Sequence, residues 1–502
     1  MIKRILALLL VLGLAAGGSF TALNYSSLFE LRVGEQPKPI IATVRARDLS
    51  LLCPGGFYRA GGASGTKVGT FDQVPSASLG GSWLGPLSSE LSSTELGGRK
   101  LKSPGTARRE ALREPLLKPL LLALGDPTGK LTQGSALLNA QQLQLVQTGR
   151  ANGLATAACQ RPSNDIWLLG GDTSTGRESL LILDNPSQVD ASVDLELFSD
   201  KGKVSGSGLS GISVPAGQTK VLPLASLAPK ALSLAVHLQS RGGSVAAWVQ
   251  QKTVRGLKAA GLDLVSPASG FRQQQVVPGL LVRGSKLATT LIKSSLDYYD
   301  LKPVLRLYAP LTSAERNGSQ PAAVGFSAQV IGADSETFGT VLQESVTAGS
   351  VKDFALDNLQ DGDYSVFIEA NRKVLASVRM VRVSKGANLN TDFAWLSASP
   401  AFKAPRLFTV PKQGISKVAI ANPSDKPVKV EITNEATGSP SEYQIGANGS
   451  LVLALNPGEV FSLAANQRIH AVLVIDVSGQ IGSIDITDYK NIGGKVAVPP
   501  SF

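Results

Sequence analysis

From about residue 165 to its end the chain reads as one β-rich unit written three times, and a self-contained unit repeated at this period signals a string of modules. Each copy has an apolar strand running into a turn, an alternating strand, a short apolar-Ala-Gly turn, another strand and a final hairpin. In the first copy these are Ser179 to Ser187, Ala191 to Phe198, Val214 to Gly217 and Leu232 to Val249. In the last they are Lys417 to Ser424, Lys426 to Ile432, Ile445 to Gly449 and Ile469 to Ile486. The middle copy keeps Lys302 to Tyr308, Val346 to Gly349 and Tyr364 to Val383. It lacks the Asn-Pro step that the others carry at Asn185-Pro186 and Asn422-Pro423.

Within the copies the hydrophobic period is two. Val193, Leu195 and Leu197 fall on one face of a strand, with Asp194 and Glu196 on the other. Such alternation marks half-buried antiparallel strands rather than parallel ones sheltered on both faces. Turn signals about every 8 to 12 residues point to β-sandwiches. The expected fold class is all-β: tandem antiparallel β-sandwich (Ig-like) modules behind an N-terminal membrane-spanning or signal segment. Boundaries follow from the copies: 1–29 signal peptide or anchor, and 30–164 a β-rich domain with a flexible insertion at about 75–130. The sandwiches are expected at 165–268, 269–396 and 397–502. A chain of 502 residues has room for this many cores.

The first residues bear on compartment. Lys3 and Arg4 precede an uncharged run from Ile5 to Phe29 with an apolar heart at Ile5 to Ala16, the n-region and h-region of an export signal. Ala15 to Ser19 are small enough for cleavage, although no clean A-x-A site is present. Extending the run to Leu23 reaches the roughly 18 residues that span a bilayer. A cleaved signal and a retained anchor both stay open. Either places nearly all of the chain on the extracellular face of the membrane or free in the envelope, with one N-terminal membrane contact and a cytoplasmic N-terminus. The only two cysteines, Cys53 and Cys159, are expected to pair in an exported chain, the alternative being two buried thiols. A metal centre is not expected, since neither has histidine partners nearby.

Residues 75–106 are rich in Ser, Gly and Pro and read as a long loop. Thr106 to Arg113 has helical character that Pro115 and Pro119 would break. Ser135 to Thr148 does not separate helix from strand.

The series Cys53-Pro-Gly, Cys159 with Pro162, Trp167 with Gly170 and Gly171, Leu183 to Pro186, and Val214 to Gly217 resembles a known family. It is that of exported actinobacterial envelope proteins carrying domain of unknown function 5719. The resemblance implies one N-terminal span and a β-rich extracellular part, and it transfers no catalytic residue.

Other candidate sites are weak. Gly206 to Gly211 matches G-x-G-x-x-G in letters, but Pro215 and Gly217 follow where a crossover helix should open, so a hairpin turn is expected. His237 and His470 stand in strand-like runs that do not align between copies, and no nucleophile elbow accompanies them. Asp361 with Asp363, and Asp334 with Glu336, are too few oxygens for calcium. Of Trp83, Trp167, Trp248 and Trp395, only Trp83, in the Gly/Ser-rich stretch, is a candidate for surface contact with a sugar. The densest cationic run is Arg99, Lys100, Lys102, Arg108, Arg109 and Arg113. In a chain of net charge +11 it suggests attraction to anionic envelope polymers or a phospholipid surface.

The reading is a non-enzymatic envelope scaffold or adhesion protein with no cofactor and no nucleic-acid partner, its partner being such a polyanion or another envelope protein. The alternative is a carbohydrate-binding or glycan-processing protein with a site at a module interface, which a surface cluster of acids and aromatics from two modules would favour. Replacing Arg99, Lys100, Lys102, Arg108 and Arg109 by Gln is expected to abolish most salt-sensitive binding to anionic liposomes, since each cation contributes about 1 kcal/mol near such a surface. Undiminished binding would mean that the charge acts from elsewhere on the chain.

Overall fold

Alternation at residues 191–198 becomes the strand Ala191–Ser199, in which Val193, Leu195 and Leu197 are buried while Ser192 is exposed. The computed structural model describes residues 40–44, 49–60, 70–75, 77–84, 89–98, 115–125, 137–333, 338–386, 388–487, 489–490 and 494–498. Strands dominate throughout, mostly in antiparallel sheets. Among the described residues no helix is long and apolar enough to cross a membrane, and residues 1–29 lie outside them.

Ala191–Ser199 lies in a sheet with Asp165–Leu169 and Leu234–Gly242. A second sheet, Thr219–Pro223, Arg177–Asp184, Ala246–Arg255 and Lys258–Val265, shares one apolar core with it through Leu181, Leu183, Val236 and Leu238. Near the C-terminal end, Arg406–Thr409, Val460–Ala465, Val428–Asn434 and Ser439–Ile445 form a sheet. It shares a core with Ser450–Leu455, Ile415–Ala421, His470–Val477 and Gln480–Asp485. The two Asn-Pro steps make the same bonds. Asn185 Nδ2 donates to the Val189 and Val214 carbonyls while its Oδ1 accepts from Ser187 N; Asn422 does the same with Lys426, Gly446 and Ser424. Each buried amide therefore replaces ladder bonds that the following proline cannot make.

The middle segment departs from the expected two separate layers. Its strands are hydrogen-bonded as one seven-stranded sheet. The cause is Gly362–Lys385, a 24-residue strand whose first half pairs with Ala323–Gly332 and whose second half pairs with Val304–Tyr308 and Leu389–Ser397.

Residues 75–130 contain no long loop where they are described. Ala77–Leu84, Glu90–Glu95, Pro115–Leu116 and Leu120–Gly125 are strands, and Trp83 is buried in the core with Leu79, Leu91, Leu122 and Leu138. The small residues Gly80, Gly81 and Ser82 suggested a loop, yet they sit in a ladder opposite Leu137–Thr148. That second strand was ambiguous because its glutamines are buried. Gln142 donates to and accepts from the backbone of Gly55, Gln144 accepts from Phe57 N, and Gln250 bonds both backbone groups of Tyr58. Side-chain amides thus stand in for a missing neighbour strand, which is how a buried polar residue avoids a desolvation penalty. Cys53 and Cys159 form a disulfide within this core.

Residues 47–491 form one compact unit. Ile40–Val44 and Gly494–Val498 belong to a second unit and pair with each other as a two-stranded antiparallel sheet, so the final strand is not part of the C-terminal sheets that sequence grouped it with.

Within the large unit the sheets do not stand in a row. Four strands, Ala151–Ala158, Lys258–Val265, Leu389–Ser397 and Gln480–Asp485, meet at one junction, each from a different sheet. Asp392 is its centre. Its buried carboxyl accepts hydrogen bonds from Leu154 N (3.2 Å), Leu262 N (3.2 Å) and Ile481 N (3.0 Å). Around it, Asp263 Oδ2 accepts from Trp395 N (2.7 Å), and Thr156 Oγ1 exchanges bonds with the backbone of Ser483. Glycine permits the approach: a Cβ at position 153 would lie 2.6 Å from Asp392 Oδ1 and 2.8 Å from Leu262 N. The apolar cores also cross the expected borders. Phe393 and Trp395 pack with the first pair of sheets, and Val472, Val474 and Ile481 pack with the middle sheet.

Asp392→Ala would leave three buried main-chain donors without an acceptor. At about 1–3 kcal/mol for each unsatisfied group, it is expected to destabilise the large unit by roughly 3 kcal/mol or more in urea unfolding. A loss below about 1 kcal/mol would show that water or local movement satisfies those donors.

Candidate functional site

Arg99, Lys100, Lys102, Arg108, Arg109 and Arg113 lie outside the described residues, as do Asp334 and Glu336. Gly206 to Gly211 forms turns leading into the strand Ile212–Val214, and another strand, Thr219–Pro223, follows before the short helix Leu224–Leu227, so no helix opens on the glycines. Asp361 accepts from Gly284 N and Ser285 N at the start of the helix Ser285–Ser294, and Asp363 pairs with Arg283 and Lys417. Both acids are occupied in structural roles. Among the described residues no cluster of His, Cys, Asp and Glu is placed to hold a metal. Trp248 and Trp395 are buried, and the Trp395 indole donates to Gln251 Oε1 (2.8 Å).

Trp167 and His237 come together instead. They are direct cross-strand partners, and His237 is in turn opposite Glu196, so the three occupy neighbouring positions on one sheet face. The imidazole stacks on the indole with centroids 4.1 Å apart. His237 Nδ1 lies 3.1 Å from Glu196 Oε2 and Nε2 lies 3.2 Å from Asp165 Oδ1. Burial pushes the Glu196 carboxyl up, but hydrogen bonds from Lys203 and His237 outweigh it and hold the group below the usual carboxylate range. Phe198, Phe271 and Tyr308 surround the indole at centroid distances of 5.9, 5.0 and 5.2 Å. Tyr308 and Phe271 come from the middle segment, so the cluster sits on a seam between sheets. Trp167 and Phe271 are half-buried and Asp165 is exposed.

His470 is isolated from this group. It is buried, with Nδ1 2.8 Å from the Ser399 carbonyl, and burial pulls its pKa down to about 4. It borders an open cleft of about 750 Å³ between the middle sheet and the C-terminal sheets, with Arg272, Gln274, Glu369, Ser424 and Gln467 around it. The cleft mixes polar and apolar lining, with Val276, Ala370, Ala401 and Pro423 beside the charged groups, and its imidazole has no carboxylate partner among the described residues. The sequence pointed to both histidines as solvent-facing or satisfied strand residues, and both are buried in strands with hydrogen-bond partners. What it missed were the partners: an acid two positions before Trp167 and the cross-strand Glu196.

Four acids away from this cluster have raised pKa values. Burial pushes Asp184, Asp263 and Asp485 each up to about 7, with Thr219 partly offsetting this at Asp184 and Trp395 at Asp263. Asp392 rises well above the usual range for the same reason, although its backbone bonds oppose it.

The model of a family described as a family of unknown function (DUF5719) matches residues 118–456, more than half of the chain. No curated protein matches the chain. Among solved structures, the chain is similar to the structure of a glycoside hydrolase family 32 protein from Bifidobacterium adolescentis. That match has 9% identity and a TM-score of 0.14, over 89% of this chain and 96% of the other. At that score no fold or activity carries over.

The buried acids set a pH dependence. A carboxyl whose pKa rises on folding stabilises the fold fully below the unfolded value near 4 and loses that contribution as pH climbs towards 7. His470 acts in the opposite sense, since the unfolded chain keeps its proton up to about pH 6.5 while the fold releases it. Several carboxyls outweigh one imidazole. The Tm in calorimetry is therefore expected to fall between about pH 5 and pH 8, whereas a rise across that interval would mean that these acids are ionised without penalty in the fold.

Proposed function

We propose, for a chain that belongs to the family of unknown function DUF5719, that it works without catalysis as an extracytoplasmic scaffold or adhesion protein of the cell envelope. The reading takes residues 1–29 as a signal or anchor and the sheets as Ig-like β-sandwich units. The observation that carries it is the junction at Asp392, where strands from four sheets share one buried carboxyl. Such a body holds its exposed faces in fixed register, which is what a scaffold requires. The Cys53–Cys159 disulfide supports an oxidising compartment.

A second reading, carbohydrate binding, is favoured by the Trp167 cluster. Aromatic rings offer apolar faces to sugar C–H groups, and carboxylates accept from sugar hydroxyls. Here Trp167 and Phe271 supply the rings, Asp165 and Glu196 the acceptors, and two segments of the chain contribute.

One experiment separates these readings. The purified full chain is incubated with isolated envelope, and both sedimented protein and released soluble saccharide are measured. Saturable retention without release is expected, and release of saccharide that grows with time would overturn the non-catalytic reading. Trp167→Ala is expected to weaken retention about tenfold if the cluster binds glycan. Unchanged retention would remove the second reading and leave the scaffold.

A further inference from the structure

A separate cleft of about 530 Å³ opens where Arg150, Arg177, Glu178, Lys252, Arg255 and Asp297 meet. Its floor is cationic. Arg177 and Arg255 both reach the carboxyl of Asp300, and their side chains are only 8% and 9% exposed. Behind them Arg379 Nη2 donates to the Asp300 backbone carbonyl (2.9 Å). Three guanidinium groups thus gather on one aspartate. The next carboxyl, Asp172, is turned to Ser174 N (2.7 Å), and Glu178 is matched by Lys252 (3.0 Å). Burial pushes the Asp300 carboxyl up, yet the arginines outweigh it and hold it below the usual range.

Donors remain unused. A guanidinium carries five N–H groups in a fixed fork. Arg177 bonds the Thr175 carbonyl and Asp300, while its buried Nε has no partner among the described residues. A buried donor without an acceptor costs free energy, and beside a cleft with excess positive charge it marks a place for an anion. Tyr299 and Tyr298 lie under the Arg177 and Arg255 guanidinium groups at 5.0 and 5.6 Å, which fixes their planes.

The segments next to the cleft add a second chemistry. Arg255 Nε donates to the Asp297 carbonyl (2.9 Å), which joins the hairpin tip at Leu257 to the segment at Leu296. These two leucines are 76% and 87% exposed, the most open large apolar residues among those described. Isolated exposed leucines need no explanation, but each of these two directly adjoins in sequence a residue that lines the cleft, Gly256 and Asp297.

We propose that this cleft binds a phosphate group, with the forked guanidinium groups of Arg177 and Arg255 taking the oxygens and Arg150 and Lys252 completing the field. The phosphate is either free or the headgroup of an anionic lipid whose apolar part meets Leu257 and Leu296. This site is independent of the Trp167 cluster and of the scaffold reading.

The test uses the full chain at constant ionic strength set with chloride. Titration with inorganic phosphate is expected to raise the Tm and give saturable heat, and acetate or chloride at equal concentration to give neither. Arg177→Gln and Arg255→Gln are expected to weaken phosphate binding about tenfold or more, because each removes a charge-assisted contact. Should either fail to fold, the exposed Arg150→Glu is expected to weaken it about threefold through the field alone. Vesicles of phosphatidylglycerol and phosphatidylcholine distinguish the sources. Binding that Leu257→Ser with Leu296→Ser abolishes, while phosphate affinity is unchanged, identifies the lipid headgroup. Phosphate binding without vesicle binding identifies a free phosphate compound. Absence of phosphate binding, equal effects of acetate, or undiminished affinity in folded arginine variants would each overturn the proposal and leave the arginines as a structural cluster.

Discussion

The carboxyl of Asp392 takes hydrogen bonds from three main-chain amides that lie 238, 130 and 89 residues away in the chain. Each of those strands is paired on one side within its own sheet, and no ladder joins any of them to another of the four. A short acid between them supplies acceptors in several directions at once, and each donor would be unsatisfied without it. The strands that meet there are all edge strands, the elements most prone to pair with other chains. Turning four edges inward covers them and binds the sheets together in one step.

Around that point the packing is continuous. Arg306, fully buried, pairs with Asp353 in the middle segment, donates to the Gly171 and Leu232 carbonyls of the first and stacks over Trp395. Ser377 Oγ donates to the Leu169 carbonyl across the same seam. Polar bonds of this kind fix orientation, because a buried arginine tolerates few alternative positions. The Trp167 cluster and the cleft at Arg177 and Arg255 both draw residues from the first and middle segments, so their geometry depends on how firmly the sheets are held.

Much of this was legible in the residues. The alternation at Val193, Leu195 and Leu197 and the turns at Asn185 and Asn422 stand as read, because period-two burial and Asx bonding are local. Other features depend on distant partners and left no local trace. Gln142 and Gln144 are polar residues in a buried strand, and only the backbone at residues 55–57 explains them. Ala77–Leu84 has a loop's composition but a ladder neighbour in Leu137–Thr148. Asp392 follows the polar pair Asn390 and Thr391, and nothing in that local pattern pointed to the junction. The partners of His237 were out of reach because cross-strand register depends on pairing across about 70 residues of chain.

If the junction binds the four sheets into one cooperative body, the amides of Leu154, Leu262 and Ile481 open only when the whole unit unfolds. Native-state hydrogen exchange measures this directly. The three amides are expected to exchange with one common free energy equal to that of global unfolding, and to respond to urea with the full global slope. Three distinct, lower values, each with the slope of a single sheet, would contradict the account and show that the sheets unfold as separate modules.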